Sequence, residues 1–120
     1  MIKLIPGLPE HVIGFELSGK VSGDDYENVL MPAVEAATSG DRKVCMLYHI
    51  TSEFEKYELE AMWEDAKVGF RHLASWKKIA IVTDIEWIGR SVKLFAFALP
   101  GQVRVFEQAG LDDAKQWLAE

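Results

Sequence analysis

The sequence predicts an α/β fold, and three observations carry the prediction. Short apolar runs recur along the chain: VCMLYHI at Val44 to Ile50, KIAIV at Lys78 to Val82, and VRVF at Val103 to Phe106. The segments between them repeat their apolar residues at helical spacing. Ahead of them, His11 to Ser18 alternates, with Ile13, Phe15 and Leu17 set between Gly14, Glu16 and Ser18. Strands of period two interleaved with helices imply βαβ units with right-handed crossovers and a largely parallel sheet.

Taken in order, Ile2 to Ile5 is a short edge strand, and Pro6-Gly7-Leu8-Pro9 forms a turn because two prolines prevent regular pairing. Ile13, Phe15 and Leu17 face one way and Glu16 and Ser18 the other, so this strand has one buried face and completes an antiparallel hairpin. Ser22 is a helix N-cap, with Asp24 and Asp25 in the first turn, where negative charge suits the helix dipole. The helix continues through Tyr26, Leu30 and Val34 to Gly40, and Pro32 kinks or restarts it. The run Val44 to Ile50 is apolar throughout, which requires a central strand covered on both faces. Thr51 to Tyr57 is expected as a polar loop, and Glu58 to Ala74 as an amphipathic helix burying Leu59, Met62, Trp63, Phe70 and Leu73. A second central strand, Lys78 to Val82, leads into a helix from Ile85 to Leu99. Then come the strand Val103 to Phe106 and a closing helix, Leu111 to Leu118, with Trp117 and Leu118 inward. The expected order is β-β-α-β-α-β-α-β-α, with four to five strands in a mixed sheet.

The helix from Ile85 to Leu99 carries more apolar residues than one face can bury. At about 100° per residue, Ile85, Ile88, Val92, Phe95 and Leu99 share the side that packs on a sheet. Trp87, Leu94 and Phe97 point away from it, with Arg90 among them and Lys93 at their edge. A surplus of this kind marks a surface that something else covers.

Length and composition bound the rest. The 120 residues fit one domain, expected to span 1–120. Hydrophobic residues make up 49% and charged residues 27%, an ordinary balance for a water-soluble domain. The formal charge of −6 argues against a nucleic-acid partner. A lone Cys45 permits no internal disulfide. MIKLIPGLPE lacks the apolar core of a signal peptide, and no run reaches the roughly 18 apolar residues of a membrane span. The expected compartment is the cytoplasm, with peripheral contact at the inner membrane face.

The strand and helix order, the run YELEAMWEDAKVGFRHLASWKKIAIVTDIEWI, the VRVF strand and the terminal DDAKQWLAE resemble the SpoIIAA-like proteins. These are small bacterial proteins of the STAS (sulfate transporter and anti-sigma antagonist) fold. The resemblance covers essentially the whole chain and rests on packing patterns. It implies a sheet with four helices mostly on one side, kinship with CRAL-TRIO lipid-binding domains, and a role in membrane association or apolar ligand binding. Anti-sigma antagonists carry a phosphorylatable serine in an Asp-Ser-Ser-Gly-like turn. Here the equivalent stretch reads HITSEFEKYELE, with Thr51 and Ser52 as candidate phosphosites but without that turn.

No catalytic motif is present. His11, His49 and His72 fall on three different elements, and none stands at metal-ligand spacing to another His or Cys. Cys45 and His49 lie on one strand face, without the orienting group or oxyanion site that a nucleophile needs. Both glycine-rich phosphate motifs are absent. Neither a cofactor nor a metal is expected. Ligand-binding loops are expected at the carboxyl ends of the strands: Thr51 to Tyr57, Thr83 to Trp87 and Glu107 to Leu111.

The chain therefore reads as a non-catalytic binding protein for an apolar or lipid-like ligand, lined by Met62, Trp63, Phe70, Trp87, Phe95 and Phe97. Arg71, Lys77, Lys78, Arg90 and Lys93 would form a basic rim for a membrane surface or an anion. The alternative is a protein-interaction module, including a homodimer through the same patch.

Overall fold

The computed structural model describes residues 1–38, 43–57, 76–95 and 101–120. Five strands lie side by side in chain order: β1 (Ile2–Leu4), β2 (Val12–Val21), β3 (Val44–Tyr57), β4 (Trp76–Val82) and β5 (Gln102–Phe106). β1 pairs with β2 antiparallel, and each later strand pairs with its predecessor in parallel. The opening hairpin and parallel sheet are thus as expected. Gly7, at φ 80°, takes the left-handed conformation that the turn between β1 and β2 requires.

Alternation along the strands builds two cores. Phe15, Leu17, Met46, Tyr48, Ile50, Ile79 and Ile81 are buried on one face of the sheet. Val12, Cys45, Leu47, Ala80 and Val82 are buried on the other. The uninterrupted run in β3 is explained by this, since its odd and even residues enter different cores. Each fully buried aliphatic or aromatic side chain contributes roughly 1.5–3 kcal/mol.

The first core is covered by a helical run over residues 23–37 and by the helix Glu86–Phe95. The run begins with a capping box: the Ser22 hydroxyl accepts from the Asp25 N–H, and the Asp25 carboxylate accepts from the Ser22 N–H. One short turn, α1 (Gly23–Asp25), passes into a π-helical turn at Tyr26–Leu30 and then α2 (Met31–Ala37). Pro32 sits in the first turn of α2, where its missing N–H is tolerated. The wide turn ends with the Met31 N–H bonded to the Tyr26 carbonyl, so the helix restarts one residue out of phase without breaking. Tyr26, Leu30 and Val34 seal the sheet.

Helix α3 (Glu86–Phe95) packs Ile88 on the same core, with Ile85 and Val92 beside it. A three-residue 3₁₀ turn, Gln108–Gly110, then leads into α4 (Leu111–Ala119). Ala114 and Leu118 of α4 close the second core. Two of the three described helical units therefore share one face. Right-handed crossovers that advance in a single direction across a sheet must lie on the same side. α4 follows the last strand and is under no such constraint.

Two expectations need comment. Thr51 to Tyr57 is not a loop, because β3 continues through it and pairs Phe54, Lys56 and Tyr57 with Gly19, Lys20 and Val21 of β2. The long second half of β2 supplies the backbone partner that a polar composition did not announce. The register is uneven: two steps on β2, Leu17 to Gly19, face four on β3, Ile50 to Phe54. Gly19, at φ 58°, absorbs this on the β2 side. The helix expected over Glu58 to Ala74 lies outside the described residues.

Candidate functional site

The outward face of α3 carries an exposed aromatic and several exposed charges. Thr83, at the end of β4, accepts the Ile85 N–H on its side-chain oxygen, and this turn launches the helix. Ile85, Ile88 and Val92 face the sheet, as the spacing predicts. Trp87 does not, and it is 52% exposed. Glu86, Arg90 and Lys93 are exposed on the same helix. Arg90 and Glu86 pair at 3.3 Å, four residues apart. An exposed pair of this kind adds little to stability, and both groups stay accessible to a partner.

The expected pocket cannot be assembled around Trp87 alone. Met62, Trp63, Phe70 and Phe97 lie outside the described residues, and Phe95 is the last residue of the described helix backbone.

The basic rim divides. Arg71 lies outside the described residues. Lys77 is the extra residue of a bulge, since Val44 pairs with Trp76 and Cys45 already with Lys78, and it is exposed. Lys78 is drawn to the second face, where its ammonium donates to the Trp117 carbonyl at 2.9 Å and sits 5.3 Å over the indole. Arg90 and Lys93 ride on α3, over the first face. Strand alternation thus separates Lys78 from Arg90 and Lys93 by the thickness of the sheet, which corrects the expected single rim.

A polar cluster lies just past the carboxyl ends of β4 and β5, against the middle of β3. His49 Nε2 lies 2.6 Å from the side-chain oxygen of Gln108, whose amide nitrogen donates to the Ile50 carbonyl. That second bond orients the amide and leaves an oxygen facing the imidazole, so Nε2 must carry the hydrogen. The Gln108 N–H donates to Asp84 at 2.9 Å. Gln108 thereby ties the turn after β5 to the middle of β3 and to the residues just after β4. Glu16 is the cross-strand neighbour of His49.

The remaining candidates are accounted for structurally. Cys45 and His49 share a strand face but are four residues apart, about 13 Å at the usual strand rise, too far for a nucleophile and its base. Burial raises the Cys45 thiol, against weaker opposing effects of Lys78 and Lys77. His11 bonds the Leu118 carbonyl through Nε2 at 3.1 Å, and His72 lies outside the described residues. Thr51 donates its hydroxyl to the Leu17 carbonyl at 3.1 Å, and Ser52 follows within β3. Both therefore lie within a strand and not in a turn between strand and helix.

Two features leave no trace in the local sequence. Gln108 gives no local sign, because its partners lie 58 and 59 residues away. Arg104 stacks over Phe106 at 4.9 Å and over Trp117 at 5.2 Å. The alternation of VRVF already put it opposite Val103 and Val105 in phase, but nothing indicated the indole beside it. Among the described residues, no helix is long and apolar enough to cross a membrane.

Comparison with known proteins agrees with this architecture. The family model described as SpoIIAA-like matches residues 12–119. A solved structure from Shewanella loihica PV-4, an uncharacterised protein of the DUF3478 family with a SpoIIAA-like fold, is similar at a TM-score of 0.79 and 28% identity. The similarity covers 98% of this chain and 92% of that one. No curated protein matches the chain.

Proposed function

Since this chain belongs to the SpoIIAA-like family, we propose that it is a non-catalytic regulatory module that docks a partner protein on the outward face of α3. The carrying observation is Trp87, half exposed on a helix whose packing side is already supplied by Ile85, Ile88 and Val92. Tryptophan and arginine dominate the energetic centres of protein interfaces, and Arg90 stands one turn from Trp87. The fold class supports the same reading, since domains of this kind act by contact and not by chemistry.

The finer reading, an apolar or lipid-like ligand with reversible membrane-surface association, draws on the same helix. Trp87 with Arg90 and Lys93 is a composition that an anionic bilayer attracts, at about 1 kcal/mol per basic residue near it. The test places a photo-crosslinking residue at Lys93 and compares parent with Trp87→Ser. A specific protein adduct, lost or weakened about 30-fold in Trp87→Ser, supports docking. Flotation with anionic vesicles that depends on Trp87 moves the assignment to a membrane surface. Self-crosslinking with concentration-dependent sedimentation identifies a homodimer. Labelling indifferent to Trp87 in a folded variant defeats the proposal.

A further inference from the structure

The outer edge of β5 presents a second, independent surface. The Phe106 carbonyl accepts the Thr83 N–H, so Phe106 turns its backbone polar groups toward β4. Alternation then turns Arg104 and Gln102 the same way, and Val103 and Val105 outward. β5 is the last strand of the sheet, and among the described residues nothing bonds the outward N–H and C=O groups of Val103 and Val105. Such a row is a template for another strand.

The side chains flanking this edge select the strand that fits. On the second face, Arg104 is exposed and Lys78 lies beside the same indole. Neither cation has a carboxylate partner among the described residues, in a chain whose formal charge is −6. On the first face, Val103 and Val105 are half-buried, with apolar surface left to cover. We propose that the β5 edge receives an extended segment of a partner protein as a sixth strand, with side chains alternating acidic and apolar. Acidic residues would lie beside Arg104, and apolar ones beside Val103 and Val105. A second copy fits poorly. Antiparallel pairing that sets Val103 of one β5 opposite Val105 of another brings one guanidinium directly against the other. The registers centred on Val103 or Val105 leave Arg104 opposite Gln102 or Phe106, so no register of a second copy offers either cation a carboxylate on β5.

The probe is a short peptide alternating glutamate and valine, with a lysine–valine peptide as control, titrated by isothermal calorimetry and by hydrogen exchange of the assigned amides. The glutamate peptide should bind, the lysine peptide should not, and exchange should slow at Val103 and Val105. Arg104→Glu, a substitution at an exposed position, should weaken the glutamate peptide about tenfold and favour the lysine peptide. Methylating alternate peptide nitrogens in the phase that faces β5 should abolish binding, whereas the other phase should tolerate it. Trp87→Ser should leave peptide affinity unchanged, which separates this surface from α3. Absence of binding, indifference to Arg104→Glu, protection elsewhere than Val103 and Val105, or a dimer through β5 in sedimentation would overturn the proposal.

Discussion

Replacing Gln108 with leucine tests the clasp between the turn after β5 and the middle of β3. The substitution keeps the backbone N–H that Asp84 accepts and removes both side-chain bonds, to His49 and to the Ile50 carbonyl. At about 0.5–1.5 kcal/mol each, these amount to roughly 1–3 kcal/mol. For a domain of this length, 1 kcal/mol moves the midpoint by about 4 °C, so Tm should fall by roughly 4–12 °C. Thermal unfolding followed by circular dichroism reads this directly. Nitrogen-15 spectra of the parent give a second reading: neutral His49 should hold its hydrogen on Nε2 and leave Nδ1 as the acceptor. In Gln108→Leu that preference should relax. A parent carrying the hydrogen on Nδ1, or a variant as stable as the parent, would refute the reasoning.

Two further outcomes follow from local geometry. A Cβ added at Gly101 would stand 2.6 Å from the Trp76 carbonyl oxygen and 2.9 Å from that of Lys77. The backbone of β4 cannot yield cheaply, so Gly101→Ala should cost about 1–3 kcal/mol in urea unfolding, and an unchanged midpoint would contradict the close approach of Gly101 to β4. Burial pushes the Asp25 carboxyl up, but the Ser22 N–H, the N-terminal ammonium and the Ser22 hydroxyl outweigh it and leave the group below its ordinary value. A depressed folded-state value contributes stability above the ordinary carboxylate range and loses it as pH falls through the folded value. Asp25→Asn should therefore be less stable than the parent at neutral pH and converge with it in acid; coincident curves at neutral pH would count against the capping box.

Much of the fold was legible because its signals are local. The run from Val44 to Ile50 announced a strand buried on both faces, and Ser22 with Asp25 announced a cap that the structure forms in full. Trp87 stood out of phase with Ile85, Ile88 and Val92 and is exposed for that reason. The end of β3 was not legible. Thr51 to Tyr57 is polar and its strand state depends on the distant second half of β2. The basic residues misled differently: their nearness in sequence hid the fact that Lys78 and the α3 cations answer to opposite sides of one sheet. The clasp at Gln108 joins segments too far apart for any spacing argument to find.

The strict succession of strands, each beside the one before it, has a bearing on biosynthesis. A chain emerging from the ribosome can lay down β2 on β1, then β3, then β4, without holding a place for a strand still to be made. β5 is the last to arrive, so arrest or truncation before Gln102 would leave β4 as a raw margin with an apolar sequence. Nascent fragments of that length should be the species most prone to clump, and chaperone capture should peak there.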